Sequence, residues 1–127
     1  MELRTIVAAT PALTKLSASS LSLPVAYALR KCINVLQKET AFFADERSKI
    51  LKTYGNVDGK GNVTFTGDNE TIAHAAITEL LDMEVSPVFE KVVLPVSENV
   101  QLSVNDIELL TPFITFKETN YKKSSSK

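Results

Sequence analysis

Apolar and polar positions alternate most regularly over 24–54. Ser22 is suited to an N-cap, Pro24 to a first helical turn, and neither glycine nor further proline occurs before Gly55. Leu29, Ile33, Leu36, Thr40, Phe43, Arg47, Ile50 and Tyr54 recur in steps of four and three, which predicts one amphipathic helix with a heptad seam. Thr40 and Arg47 interrupt the seam with polar groups, and Val25, Cys32 and Val35 widen its first half. Gly55 is expected to stop the helix in a left-handed conformation.

Shorter patterns flank this element. Leu3 to Ala9 reads as a strand or buried lead-in, and Thr10-Pro11 as the start of a short helix reaching about Leu16. Asn56 to Thr66 carries the turn signals Asp58-Gly59 and Gly61-Asn62, then the alternating Val63-Thr64-Phe65-Thr66, which predicts a hairpin near 57–66. Asp68 or Asn69 should cap a second helix over 69–86, with Ile72, Ala76, Ile77, Leu80, Leu81 and Met83-Glu84 on its apolar face and Pro87 beyond its end. Val92 to Val96 reads as an edge strand because it contains Pro95. Ser103 should cap a short helix over 104–111, with Asp106 in the capping-box position. Phe113 to Phe116 is the last apolar element, and 117–127 is polar and expected to be disordered. The fold class is therefore mainly α with a small β component, an α+β chain.

The 127 residues suit one globular domain, expected over 1–116. A helix over 24–54 would reach roughly 46 Å at 1.5 Å per residue. A domain of this size has a radius of gyration of about 14 Å and a diameter of roughly 36 Å. The helix must then break near Thr40 or pack one end against another subunit, and the second reading is preferred. Self-association is the corresponding expectation, as a homo-oligomer in a ring or an open spiral.

Charge narrows the partners. Fourteen Lys and Arg against fifteen Asp and Glu give a net charge of −1, too little to gather nucleic acid or an anionic membrane. Apolar residues make up 44% of the chain, yet no run approaches the roughly 18–20 needed to span a bilayer. The start lacks a basic-then-apolar leader, so a cytoplasmic location is expected. No period of repeat-protein length recurs.

Candidate chemistry is sparse. His74 is the single histidine and sits among alanines with no nucleophile or orienting acid at readable spacing, so a structural or surface role is expected. Cys32 falls on the wide stripe of the long helix, where a thiol usually acts as a small buried hydrophobe. The segment Asn56 to Gly61 superficially resembles a calcium loop, but placing Gly61 at the sixth position puts Lys60 fifth and Gly67 twelfth. Placing Gly59 there puts Tyr54 first and Phe65 twelfth, so both registers fail. There is no phosphate-binding glycine loop, nucleophile elbow or dinucleotide fingerprint. The expectation is a protein without catalytic residues, metal, cofactor or small-molecule substrate.

Aromatic placement carries the remaining signal. Phe42 and Phe43 are neighbours on the long helix and point about 100° apart, so both cannot centre one narrow seam. One of them is expected in an exposed apolar patch continued by Tyr54, Phe89, Phe113 or Phe116.

Several segments taken together have a familiar order. Leu-Lys-Thr-Tyr-Gly (51–55) precedes Val-Asp-Gly-Lys-Gly-Asn-Val (57–63), then Glu-Leu-Leu-Asp-Met-Glu-Val (79–85) and Leu-Ser-Val-Asn-Asp-Ile-Glu-Leu-Leu-Thr-Pro-Phe-Ile-Thr-Phe (102–116). Over roughly 23–116 this resembles a family of small proteins of tailed phages and prophages of Gram-positive bacteria. Its look is most like members from lactococcal siphophages encoded near the tape measure gene. The resemblance implies a late tail-assembly chaperone that binds hydrophobic, aromatic helical repeats of the tape measure protein. It further implies action in the host bacterial cytoplasm and absence from the mature virion. Helix-in-groove binding, repeated by oligomerisation, fits that task physically. The alternatives are a structural tail or connector component of the virion, and a small phage regulator that binds a host protein.

Overall fold

The computed structural model describes residues 1–95, 98 and 100–117. Among the described residues, four helices and two small two-stranded sheets make the fold mainly α with a small β component. The chain forms two compact units, each discontinuous in sequence. The first comprises Met1–Val7 and Gln37–Ser86, the second Ala8–Leu36 and Pro87–Lys127.

Helix α1, Leu3–Ser17, replaces the expected strand and short helix with one continuous element. Leu3, Ile6, Ala9, Leu13 and Leu16 are all buried, and their spacing of three and four residues is the helical period. Pro11 lies inside this helix on its exposed side. An interior proline costs about 3 kcal/mol. Burying each large apolar side chain returns about 1.5–3 kcal/mol, so the stripe outweighs the proline.

Helix α2, Leu23–Tyr54, is unbroken at Thr40. Its buried residues, Val25, Leu29, Cys32 and Leu36, all lie in the share belonging to the second unit. The stripe therefore centres nearer Cys32 than Ile33, which is half-buried. Gly55 ends the helix without a positive φ; among the glycines only Gly61 and Gly67 adopt one. Its role is close packing, because a Cβ there would lie 2.7 Å from Val63 Cγ1 and 2.9 Å from the Leu51 carbonyl oxygen.

In the first unit, β1 (Asn56–Val57) and β2 (Val63–Thr64) form the expected antiparallel hairpin, with Asn56 opposite Thr64. Asp58 organises its turn: the carboxylate accepts from the backbone N–H of Lys60 at 2.8 Å and of Asn62 at 2.9 Å. Those two amides hold its pKa below the ordinary carboxylate value. Helix α3, Asn69–Leu81, stops short of the expected 86. The backbone of Met83 and Val85 is engaged elsewhere: Leu3 N–H donates to the Met83 carbonyl and Val85 N–H to the Met1 carbonyl, each at 2.8 Å. Arg4 pairs with Asp82 across the same join. Asp68 occupies the N-cap position without a side-chain cap bond. On α3, Ala76, Ile77, Leu80 and Leu81 are half-covered as expected, but Ala73 is buried and Ile72 exposed.

In the second unit, β3 (Val92–Pro95) pairs in parallel with β4 (Ile114–Lys117), with Val92 opposite Ile114. Helix α4, Val104–Leu110, supplies the crossover between them. Its expected cap is present: Ser103 Oγ accepts from Asp106 N–H at 3.0 Å and Asp106 accepts from Ser103 N–H at 3.1 Å. Val92, Leu94, Leu110, Phe113 and Ile114 are buried here together with Ala9, Leu13, Leu16, Leu29 and Leu36. The expected strand residue Val96 and the tail 118–127 lie outside the described residues.

Candidate partner-binding surface

The first unit exposes apolar side chains along the distal share of α2. No side chain over 37–54 is buried, although Phe43, Ile50, Leu51 and Tyr54 are half-covered. Phe42 is 41% exposed, as its divergence from Phe43 requires. Arg47 faces water, and Glu46 accepts from Lys49 at 2.9 Å on the polar side. Ile72, Met83 and Val57 are also exposed in this unit. Sequence reasoning placed Ile72 and Met83 on the apolar face of the second helix and passed over Val57. Its buried apolar residues, among those described, are Leu3, Ile6, Ala73 and Val85.

The second unit holds Phe89, Phe113 and Phe116. Phe113 is fully buried and stacks at a tilt against Phe89, ring centroids 5.6 Å apart. It is a core residue, which corrects its assignment to the binding patch: the Leu110–Phe113 turn faces inward, with Phe113 N–H donating to the Leu110 carbonyl at 2.8 Å. Phe89 is half-buried and Phe116 is partly exposed. The six aromatic candidates thus fall in different units. Phe42, Phe43 and Tyr54 belong to the first, Phe89, Phe113 and Phe116 to the second.

A cleft of about 340 Å³ in the second unit is lined by Ala28, Lys31, Cys32, Val35, Val88 and Phe89 among others. Cys32 is buried at its wall, and desolvation pushes its thiol pKa up, so it stays protonated and unreactive at neutral pH. Lys31 Nζ stands 4.9 Å from the centroid of the exposed Tyr27 ring. Tyr27 and Val88, missed as surface aromatic and apolar groups, were readable in part. Tyr27 sits two residues before Leu29 and hence on the opposite helix face. Val88 follows Pro87 outside any periodic element and gave no signal.

His74 is exposed in the middle of α3. Among the described residues no cluster of three or more His, Cys, Asp or Glu is placed to hold a metal ion, and no helix is long and apolar enough to cross a membrane. No family model, curated protein or solved structure matches the chain significantly.

Proposed function

We propose that this protein is a non-catalytic, helix-binding chaperone that keeps a tape measure protein soluble while a phage tail assembles. One observation carries the reading: an apolar stripe on α2, centred on Phe42, Phe43, Ile50 and Tyr54, with no fully buried member. A helical stripe of this length left partly in water suits a partner helix laid along it, anchored by aromatic rings. The resemblance of its segment order to that phage family is what points to a tape measure protein as the proposed partner. Self-association belongs to the same proposal, because repeated grooves match a repetitive partner and add avidity.

Co-expression with a tape measure fragment tests it. The fragment is expected to move from the pellet to the soluble fraction and to co-purify with the protein. A fragment equally insoluble with and without the protein overturns the reading. Mass spectrometry of purified particles separates a chaperone, which is absent, from a virion component, which is retained.

A further inference from the structure

Ala28, Lys31, Cys32 and Val35 share one face of α2 by helical spacing and form one wall of the cleft of about 340 Å³ in the second unit. The irregular stretch ahead of β3 forms the other, and there the Phe89 ring is fixed against the buried ring of Phe113. Cys32 is buried with a neutral thiol, while Ala28 and Val35 are half-covered. The apolar helix face therefore runs without interruption from the core to an open mouth. Small-ligand sites occupy roughly 300–1,000 Å³, are mainly apolar and carry a few placed polar groups. The cleft stands at the lower end of that range.

Two cations supply its polar groups. Lys31 and Lys91 both line the cleft, and neither has an ion-pair partner among the described residues. Lys31 Nζ is held 4.9 Å from the Tyr27 ring centroid, a contact that positions a cation without neutralising it. Glu90 is the one carboxylate of the described lining and is exposed, so the balance is positive. A neutral apolar ligand would leave both ammonium groups unused, and an inorganic anion would leave the apolar walls wet. A molecule with one anionic head and one short apolar body satisfies both. We propose that this cleft binds a medium-chain alkanoate, with its methylenes along Ala28, Cys32, Val35 and Phe89 and its carboxylate met by Lys31 and Lys91. The inference is independent of the partner-helix reading, which concerns the first unit.

Titration of hexanoate, octanoate and decanoate into the full-length protein, below their micelle concentrations, tests it by calorimetry and by the methyl NMR signals of Val35 and Val88. Affinity is expected to rise roughly fourfold per added methylene while the chain stays inside the cleft. Octanol is expected to bind about tenfold more weakly than octanoate, because it lacks the charge that the lysines meet. Lys31→Gln and Lys91→Gln should each weaken octanoate severalfold without moving octanol. Ala28→Leu fills the cleft with a good helix former and is expected to abolish binding, with thermal melts verifying the fold. The two lysines are exposed, so their variants decide the matter even where Ala28→Leu does not fold. Equal binding of octanol and octanoate, affinity independent of chain length, or unchanged binding in a folded Ala28→Leu variant overturns the proposal. A short peptide with an apolar C-terminal residue that displaces every alkanoate assigns the cleft to a protein terminus and overturns it as well.

Discussion

Lys15 Nζ donates to Asp106 Oδ2 at 2.7 Å, so the last turn of α1 is held by the same carboxylate that closes the capping box of α4. Asp106 therefore serves two elements distant in sequence. The Lys15 ammonium, with the Ser103 amide, holds its pKa below the ordinary carboxylate value. A carboxylate lowered in the folded state adds stability that is complete above its unfolded pKa, about 3.9. That stability is lost as pH falls through the lower folded value. Asp106→Asn is expected to melt below the parent protein at pH 7, with the gap closing as pH drops into the acid range. Thermal unfolding by circular dichroism across that range checks it, and a gap independent of pH counts against it.

The cap itself has its own weight. Ser103→Ala removes the acceptor for the Asp106 amide and is expected to cost about 1 kcal/mol. Urea unfolding measures this as a lower midpoint with unchanged slope.

Phe113 and Val88 make a contrasting pair. Phe113→Ala empties a fully buried site against Phe89 and is expected to cost about 3–5 kcal/mol. Val88 is 89% exposed, and Val88→Ser should lie within about 0.5 kcal/mol of the parent. Comparable losses at the two positions would contradict the burial described.

These residues show what was legible in the sequence. The long helix, the hairpin and the Ser103 cap follow from local signals: a 3.5-residue period, Asp-Gly and Gly-Asn turns, and a hydroxyl three residues before a carboxylate. Local rules failed where a distant partner decided the outcome. Thr10-Pro11 has the form of a helix start, but burial of Leu3, Ile6, Ala9, Leu13 and Leu16 carries the helix through the proline. The end of α3 depends on Met1 and Leu3 claiming the backbone of 83–85, which no neighbouring residue announces. Phe113 and Phe116 look alike in sequence, and standing three positions apart in an extended segment sets them on opposite faces without saying which is covered. The divergence of Phe42 from Phe43 is purely local helix geometry, so the exposed ring could be foreseen there.

Gly55 tests close packing separately from backbone conformation. Gly55→Ala would place its Cβ against Val63, Phe65 and the rigid Leu51 carbonyl, and is expected to cost about 1–3 kcal/mol. Gly59 has open space around its Cβ position and no positive φ. Gly59→Ala should therefore be neutral or stabilising by about 0.4–1 kcal/mol through the unfolded state. Denaturant midpoints of the two variants are expected to move in opposite directions or differ by the full Gly55 penalty.

Phe42 provides the sharpest test of the proposed function. Its ring is 41% exposed, so Phe42→Ser removes only part of a buried aromatic and should cost the fold about 1–2 kcal/mol. The same substitution removes an anchor for a helix lying on α2, a loss worth about 2 kcal/mol or roughly thirtyfold in affinity. Tyr27 is 64% exposed and belongs to the other unit, so Tyr27→Ser controls for a general loss of surface aromatic area. Fluorescence anisotropy with a labelled tape measure repeat peptide measures the affinities, and thermal melts of each variant verify folding. Weakened binding by Phe42→Ser beside unchanged binding by Tyr27→Ser places the contact on the distal share of α2. Unchanged affinity in a folded Phe42→Ser variant removes that stripe from the binding surface.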